Sequence, residues 1–266
     1  EFCLDTNNKL NLIPKKVTQY YAVENYYKII TEDNNEYFAK KVYDSRSTKE
    51  KNNELTQHFF GINIITNNHL FDDKTLTLMH FTKDDNLLHF IYVLPFAKNK
   101  ALVESTVFSK KVLNEKWYRD KINKYLRQNS ITNFKEYGSE KGIIPMFFVQ
   151  NKISNDPNIY SIGIRGGACK ASTGYAFSFL IKQIQLLKNS NKNYVQVHKF
   201  LEKKMDKIFL NYLKNNNEHG NIFIKLANNL SGREFQKFMM GHSTILTKLK
   251  IIKSMPKIPF IKAMFK

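Results

Sequence analysis

A glutamate in an otherwise apolar strand, Glu104, is the residue best suited to acid–base chemistry. It lies in Leu102-Val-Glu-Ser-Thr-Val-Phe108, where its neighbours are apolar or carry hydroxyl groups. A carboxyl group buried among apolar side chains resists ionisation, so its pKa rises and it can hold a proton at neutral pH. On strand periodicity alone, a glutamate on the outward face of the strand is the simpler interpretation.

A glycine-rich segment between a predicted strand and a predicted helix is the second candidate. It contains Gly163, Gly166, Gly167 and Gly174 and follows the apolar run 159–163. Such a turn lets backbone N–H groups approach a phosphate or an electron-rich ring edge, and the helix N-terminus adds partial positive charge. Ser172 and Thr173 are predicted to cap that helix, which we expect over 175–187. The alternative is a connector without a ligand.

Other kinds of site are disfavoured by residue spacing. The seven histidines form no His-x-x-x-His pair and no cluster with carboxylates, so no metal site is predicted. No G-x-S-x-G is present, which argues against a serine hydrolase. Cys3 and Cys169 form no CxxC, and we interpret Cys169 as a small filler residue. The absence of a disulfide framework favours a reducing compartment.

The elements that position these residues can be read from the spacing of apolar residues. Short strands rich in β-branched and aromatic residues predict an antiparallel sheet, and lysine-containing runs with helical spacing follow it. Pro256 and Pro259 are expected to break any helix near the end. Strands are predicted within 20–42 (two, with a turn at 33–35), at 58–65, 75–81, 87–94 and 102–108, and as a pair within 134–150; helices are predicted at 109–126, 195–213, 222–230 and 245–252.

The charge of the chain also needs a cause, because 42 basic against 23 acidic residues give a net charge of +19. Nearly all the basic residues are lysines spread along the chain, without the aromatic signature of RNA-binding modules, so nucleic acid is a disfavoured partner. Two causes remain open, compositional drift towards lysine and attraction to an anionic membrane surface. No apolar run is long enough to predict a membrane-spanning helix, and no signal peptide is evident.

The amino-acid sequence of the glycine-rich segment resembles the C-terminal flavin-contacting loop of the FAD-dependent lycopene cyclases. Other segments are similar to that family in the same order along the chain. They are 75–81, 93–96 leading into 101–109, 140–146, 237–241 and 255–260. The resemblance covers nearly all of the chain from about Gln19 onward.

The resemblance implies an α/β (α+β) flavoprotein of the glutathione-reductase type. It would combine a remnant of the FAD-binding domain (1–47), an antiparallel β-sheet substrate domain (48–150), a return to the FAD-binding domain (151–190) and a helical C-terminal region (191–266). The G-x-G-x-x-G fingerprint of dinucleotide binding is absent, because Gly61 is the only glycine before Gly138. We therefore expect a fragment that lacks the N-terminal dinucleotide-binding unit and is inactive alone. A divergent protein that does not bind FAD is the competing explanation.

The resemblance also suggests roles for individual residues. Glu104 matches the family's acid–base residue, and Glu140 either lines the pocket or pairs with a loop. His80 stands where the family more often has an acidic residue, and a structural role is expected for it. The implied cofactor-binding residues are Asp44 and Arg46, alternatively a surface ion pair, followed by the loop residues Gly163, Arg165, Gly166, Gly167, Ser172, Thr173 and Gly174. The family usually has a glycine where this chain has Ser47.

The implied activity is cyclisation of the linear ends of lycopene to β-ionone rings without net redox change. Reduced FAD, with NAD(P)H as its reductant, is the implied cofactor, and the substrate lies in the bilayer. We therefore expect a cytoplasmic protein held peripherally on the inner face of the cell membrane. The alternatives are another isoprenoid-acting flavoprotein on the same fold, such as a monooxygenase or reductase, and a basic membrane-surface binding module.

Overall fold

Strands with alternating apolar residues and amphipathic helices build the fold. A computed structural model describes residues 10–46, 54–82, 87–148, 154–215 and 219–265. The strands are β1 Val17–Val23, β2 Tyr26–Thr31, β3 Glu36–Ala39, β4 Val42–Asp44, β5 Thr56–Thr66, β6 Thr77–Phe81, β7 Leu88–Ala97, β8 Lys100–Ser109, β9 Phe134–Pro145 and β10 Ile159–Ser161. The helices are α1 Glu115–Gln128, α2 Phe177–Lys188, α3 Phe200–Asn215, α4 His219–Asn228, α5 Gly232–Met239, α6 Ile245–Ser254 and α7 Lys257–Met264.

An antiparallel five-stranded sheet in the order β6-β7-β8-β5-β9 forms the centre of the molecule. This confirms the mixed α/β class and the expected antiparallel sheet. The predicted strand pair within 134–150 is wrong, because β9 continues as one strand beside β5 from Phe134 to Pro145. The glycines of β9 lie inside the strand, and the ring of Phe59 lies over Gly142, where a Cβ atom would come within 2.7 Å of it.

The two faces of the sheet pack against different helices. One face places Ile62, Ile91 and Val103 against Ile122 and Leu126 of α1. On the other face, one end of the sheet packs through Leu88, Phe90 and Phe108 against the helices that follow α2. Helices therefore cover the first face of the sheet and one end of the second face.

Two small strand groups precede and follow the sheet. β1, β2 and β3 form an antiparallel meander with the expected turn at 33–35, and a further tight turn at Glu24, with φ +51°, divides the first predicted strand. β4 and β10 pair in parallel, so segments more than a hundred residues apart in sequence lie side by side.

The helices differ from expectation mainly at their N-termini. α1 begins at Glu115, not Ser109, because Asn114 caps it by accepting from the Trp117 N–H. α3 begins at Phe200, not Val195. α5 was not predicted, although its capping box between Ser231 and Glu234 is a readable signal.

The expected helix break is confirmed at Pro256, since α6 ends at Ser254, and is wrong at Pro259. Pro256 is the residue that precedes α7, and Pro259 is its third residue. The first turn of a helix has no intrahelical acceptor for its N–H groups, so a proline there removes no hydrogen bond. No helix among the described residues has the length and apolar character needed to cross a bilayer.

Replacement of Ile122 by alanine tests the packing of α1 on the sheet. Ile122 is fully buried, so we expect Ile122→Ala to lower the free energy of unfolding by about 2–5 kcal/mol. Ile184→Ala is the matched control, because Ile184 on α2 is 59% exposed. Urea unfolding monitored by circular dichroism measures both, and equal losses in the two variants would contradict this packing.

Candidate functional site

The parallel pair of β4 and β10 brings together the two groups of predicted cofactor-binding residues, namely Asp44 with Arg46 and the glycine-rich segment. Asp44 pairs with Ser161 at the carboxyl ends of the two strands, so Ser45 and the glycine-rich segment leave from the same edge. In open α/β sheets, ligands bind in the crevice outside such strand ends.

The carboxylate of Asp44 connects three segments at this edge. It accepts hydrogen bonds from the Arg46 Nε at 3.0 Å and Nη2 at 2.9 Å, and from the Tyr20 hydroxyl of β1 at 3.2 Å. Arg165 in the glycine-rich segment approaches the same carboxylate, with its Nε 3.1 Å away. The Asp44 side chain is only 1% exposed, so the alternative of a surface ion pair does not describe it.

The ionisation of Asp44 follows from these contacts. Burial by itself would raise the pKa of Asp44, but the hydrogen bonds from Arg46 and the charges of Arg165 and Arg46 outweigh it and lower the pKa. Two partly exposed guanidinium groups face one carboxylate, so the cluster keeps a net positive charge at the strand ends.

The glycine-rich segment is held by a side chain that sequence reasoning missed, Gln183 of α2. Its amide oxygen accepts from the Gly163 N–H at 2.9 Å, and its amide nitrogen donates to the Gly166 carbonyl at 2.9 Å. A Cβ atom on Gly166 would lie 2.4 Å from the Ser161 carbonyl oxygen and 2.6 Å from this amide, so only glycine fits there. A polar residue spaced among the buried Phe179 and Leu187 was the available signal.

The N–H groups of the four glycines bond within the protein. Gly163 donates to Gln183, while Gly166, Gly167 and Gly174 donate to carbonyl oxygens of the same segment. In this structure the glycines therefore shape the turn, and the charge available to a ligand there comes from Arg46 and Arg165. Their contact with a cofactor stays a prediction.

The prediction that Ser172 and Thr173 cap the following helix is wrong. α2 begins at Phe177, and Ala176 precedes it without a side-chain cap. The Ser172 hydroxyl instead donates to the Asp206 carboxylate of α3 at 2.7 Å, where Lys170 forms a buried ion pair with Asp206. This tertiary contact joins the glycine-rich segment to the C-terminal helices. Cys169 beside it is inert, since burial raises the pKa of its thiol to about 12.

The sheet brings the two predicted carboxylates onto one row. Gly61 in β5 lies opposite Glu104 on one side and Glu140 on the other, and Tyr92 of β7 lies opposite Glu104. Residues paired across strands share a face, so all four positions face the same side of the sheet. Because Gly61 has no side chain, only its backbone separates Glu104 from Glu140.

The environment of Glu104 raises the pKa of its carboxyl group towards neutrality. Its pKa is raised to about 7: burial is the largest cause and the negative charge of Glu140 adds to it, while a hydrogen bond of 2.5 Å from the Thr106 hydroxyl opposes both. Burial, with the charges of both glutamates, also raises the pKa of the Tyr92 phenol. Glu140 is exposed on the edge strand β9.

The glycine-rich segment contacts the same face of the sheet. The backbone of Gly174 lies on the side chain of Gln57, since a Cβ atom there would come within 2.3 Å of the Gln57 Oε1. Gln57 and Gly61 are four residues apart on β5, a separation of about 13 Å along a strand. The loop and the carboxylate row are therefore within reach of a single extended ligand.

A cleft of about 730 Å³ opens beside the strand ends. Ser45 and Ile164 line it on the loop side, and Phe59, Lys141 and Gly142 line it on the sheet side. A volume of this size is typical of small-molecule sites, which span roughly 300–1,000 Å³.

His58, which is buried, and His80, which is exposed, both contact α1. His58 bonds the Tyr118 and Ser109 hydroxyl groups on the α1 side of the sheet, and burial lowers its pKa to about 4. The ring of His80 packs edge-on against Tyr125 of α1. Over the ranges that the structure describes, no group of three His, Cys, Asp or Glu residues is placed to hold a metal ion.

Alanine at position 174 tests the contact between the loop and the sheet. Gly174 has φ +73° and no room for a Cβ atom, so we expect Gly174→Ala to destabilise the protein by at least about 1–3 kcal/mol. Gly232→Ala is the matched control, because nothing lies within 4 Å of that position in α5. If both variants melt like the parent in calorimetry, the contact at Gln57 is wrong.

Removal of the Asp44 charge tests the buried cluster. We expect Asp44→Asn to cost about 2 kcal/mol at neutral pH, as hydrogen bonds to charged groups do. The folded-state pKa is lowered, so this contribution is present above the unfolded value of about 4 and is lost as the pH falls through the folded value.

Urea unfolding at neutral and acid pH measures that difference between parent and variant. Asp120→Asn on the exposed side of α1 is the control, with no change expected. A difference between parent and Asp44→Asn that persists undiminished in acid would refute the role of the ionised carboxylate.

The structure was compared with solved structures of other proteins. The chain superposes on a geranylgeranyl bacteriochlorophyll reductase-like protein from Thermoplasma acidophilum with a TM-score of 0.54 at 13% identity, covering 92% of this chain and 67% of that one. The halogenase PltM gives a TM-score of 0.46 at 10% identity, covering 92% of this chain and 59% of the halogenase. The first likeness shows the fold alone.

Sequence comparison identifies the family. No curated protein matches the chain. The family described as lycopene cyclase protein matches residues 3–265, which is nearly the whole sequence. The chain therefore belongs to the lycopene cyclase family.

Proposed function

We propose that this protein contributes the acid–base site of a lycopene β-cyclase, an isomerase that closes the linear ends of lycopene into β-ionone rings to give γ-carotene and then β-carotene. The observation that carries the proposal is the partly buried Glu104, whose pKa of about 7 lets it hold a proton on the sheet face that also carries Glu140. Family membership supports the same reaction class.

Glu104 supplies the proton that starts the reaction. The carboxyl proton adds to a terminal double bond, and the π electrons of a neighbouring alkene attack the carbocation and form the ring bond. Loss of a proton from an adjacent carbon to the Glu104 carboxylate then forms the ring double bond. Proton gain and loss balance, so the product is an isomer of the substrate.

Glu140 acts on Glu104 through its charge. Glu140 lies on the edge strand β9, across Gly61 of β5 from Glu104, and its negative charge favours the protonated form of Glu104. The partly buried aromatic rings of Tyr92 and Phe59 lie on the same face, where aromatic faces stabilise cations. The site therefore offers a proton donor within surroundings that tolerate a carbocation.

The residues at the ends of β4 and β10 fit an anionic cofactor. Arg46 and Arg165 exceed the charge of Asp44 by one, and both are partly exposed at the crevice where nucleotides bind in such folds. We propose that they face FAD, with the glycine turn allowing its close approach. When bound and reduced at the expense of NAD(P)H, FAD supplies electron density that stabilises cationic transition states.

The apolar substrate requires contact with a bilayer. We propose that the protein is cytoplasmic and attaches peripherally to the inner face of the cell membrane. The net charge of +19 supports this, because anionic lipids attract lysine-rich surfaces. Nucleic acid is not a proposed partner.

A reductase or monooxygenase acting on an isoprenoid is the second candidate. The likeness in fold to the reductase-like protein favours it. It differs from the cyclase in its need for stoichiometric reductant, whereas cyclisation consumes none. A basic binding module without enzymatic activity would neither cyclise lycopene nor consume reductant.

Replacement of Glu104 by glutamine decides between these functions. The whole reading frame that contains this chain is expressed in lycopene-producing bacteria, and the pigments are separated by chromatography. We expect β-carotene from the parent and lycopene from Glu104→Gln, a loss of about 10²–10⁴-fold, because general acid–base groups contribute that much. Glu136→Gln, an exposed change on β9 where the glutamate pairs with Arg119, should keep the parent activity. Lycopene from the parent itself would disprove the cyclase.

The pH dependence of turnover reports the protonation of Glu104. The protonated form is the active acid, so the rate should fall as the pH rises through about 7. Glu140→Gln removes the neighbouring negative charge, so the fall in rate, the alkaline limb of the pH profile, should move to lower pH. A limb that stays in place in Glu140→Gln would show that the charge of Glu140 does not tune the acid.

A further inference from the structure

A second cavity, remote from the cleft at the strand ends, lies among the C-terminal helices. It measures about 540 Å³ and is bounded mainly by α3, α6 and α7. Its inner wall is apolar, with Phe209, Ile251, Met255 and Phe260 contributing side chains. The volume lies within the roughly 300–1,000 Å³ of small-molecule sites, and the apolar lining favours an apolar ligand.

The mouth of the cavity is surrounded by exposed apolar side chains. Leu201 is 47% exposed, Ile252 56%, Ile261 54% and Met264 56%, and all four line the cavity. Exposed apolar groups gathered at one opening mark an interaction surface, whereas single ones do not.

Lysines complete the rim of the same opening. Lys204, Lys253 and Lys257 line the cavity and are exposed, and none of them forms an ion pair in the described parts of the chain. From Phe235 to Lys266 the sequence contains seven lysines and no Asp or Glu. The partner that this rim complements is therefore negatively charged.

The inner end of the cavity is polar but neutral. Asp206 lies there, and its charge is compensated by the buried Lys170, with the Ser172 hydroxyl as a further donor. No free cation is found at that end among the described residues, so an anionic group gains most at the rim. The arrangement is amphiphilic, with largely apolar walls, a neutral polar inner end and a cationic edge.

We propose that this cavity takes one aliphatic chain of an anionic phospholipid from a bilayer, while Lys204, Lys253 and Lys257 hold its phosphate headgroup at the rim. α6 and α7 then lie on the membrane surface with their exposed apolar side chains in the lipid. The cavity thereby has a ligand class and the protein a docking face. This inference rests on the proposed membrane attachment and not on the cyclisation reaction.

Vesicle binding tests the charge requirement. The full chain is sedimented with phosphatidylcholine vesicles and with mixed phosphatidylcholine–phosphatidylglycerol vesicles, and we expect strong binding to the mixed vesicles only. The double change Lys253→Gln with Lys257→Gln should weaken that binding about 5-fold per lysine, equivalent to about 1 kcal/mol each. Lys100→Gln with Lys188→Gln, an equal loss of charge on exposed lysines elsewhere, is the matched control. Equal weakening in both double variants would overturn the assignment of this rim.

Chain insertion is tested separately by fluorescence quenching. Trp117 is the single tryptophan and lies on α1, so Ile261→Trp adds a reporter at the cavity mouth. Anionic vesicles with brominated acyl chains should quench the added tryptophan and leave the parent fluorescence unchanged. An unquenched reporter on bound protein would reduce the contact to surface charge and refute insertion.

A second copy of the chain is the other possible cover for this surface. Ile261→Glu on α7 and Phe38→Glu on β3, both at exposed positions, serve as variant and control. We expect Ile261→Glu alone to lose vesicle binding, with a monomeric mass for both variants and the parent in light scattering. A parent dimer that Ile261→Glu dissociates, with vesicle binding unchanged, would assign the surface to self-association instead.

Discussion

The register of β5 between β8 and β9 is the constraint on which the candidate site depends. This strand is hydrogen-bonded on both sides, and its position places Gly61 between Glu104 and Glu140. A shift of one residue would turn every side chain of the strand to the opposite face. The apolar packing of Ile62 and Ile64 with α1 therefore holds the carboxylate row on the face it shares with the glycine-rich segment.

Asp44 and Glu104 are both shielded from solvent, but their neighbours shift their pKa values in opposite directions. Asp44 is buried beside two arginines, so it stays ionised and links β1, β4 and the loop. Glu104 is partly buried beside another carboxylate, so its pKa is raised towards neutrality. Two acidic residues thus acquire different functions from their neighbours, one structural and one suited to proton transfer.

Sequence reasoning succeeded where local pattern and tertiary structure agree. Alternation predicted the strands around Glu104, and the glycine spacing predicted a turn between β10 and α2. It failed where a long-range partner decides, because Ser172 bonds Asp206 of α3 and does not cap α2. Gln183 could not be recognised as the clamp of the loop, since its two partners are defined only after the turn has formed. The capping box of α5 is a local signal that the sequence itself contains, so this helix is predictable from the sequence.

The pairing of β4 with β10 has a consequence for how this protein can vary. The chain leaves the pair after Asp44 and returns at Ile159, and these points are separated by no more than the length of the short strands, about 10 Å. The sheet that carries Glu104 thus occupies the position of an insertion into the loop-bearing part. Insertions whose ends lie close together can diverge or be exchanged with little effect on their host. Lineages can therefore remodel the sheet that carries Glu104 independently of the strand ends proposed for the cofactor, and chimeras joined at these two points offer a way to transfer specificity between relatives.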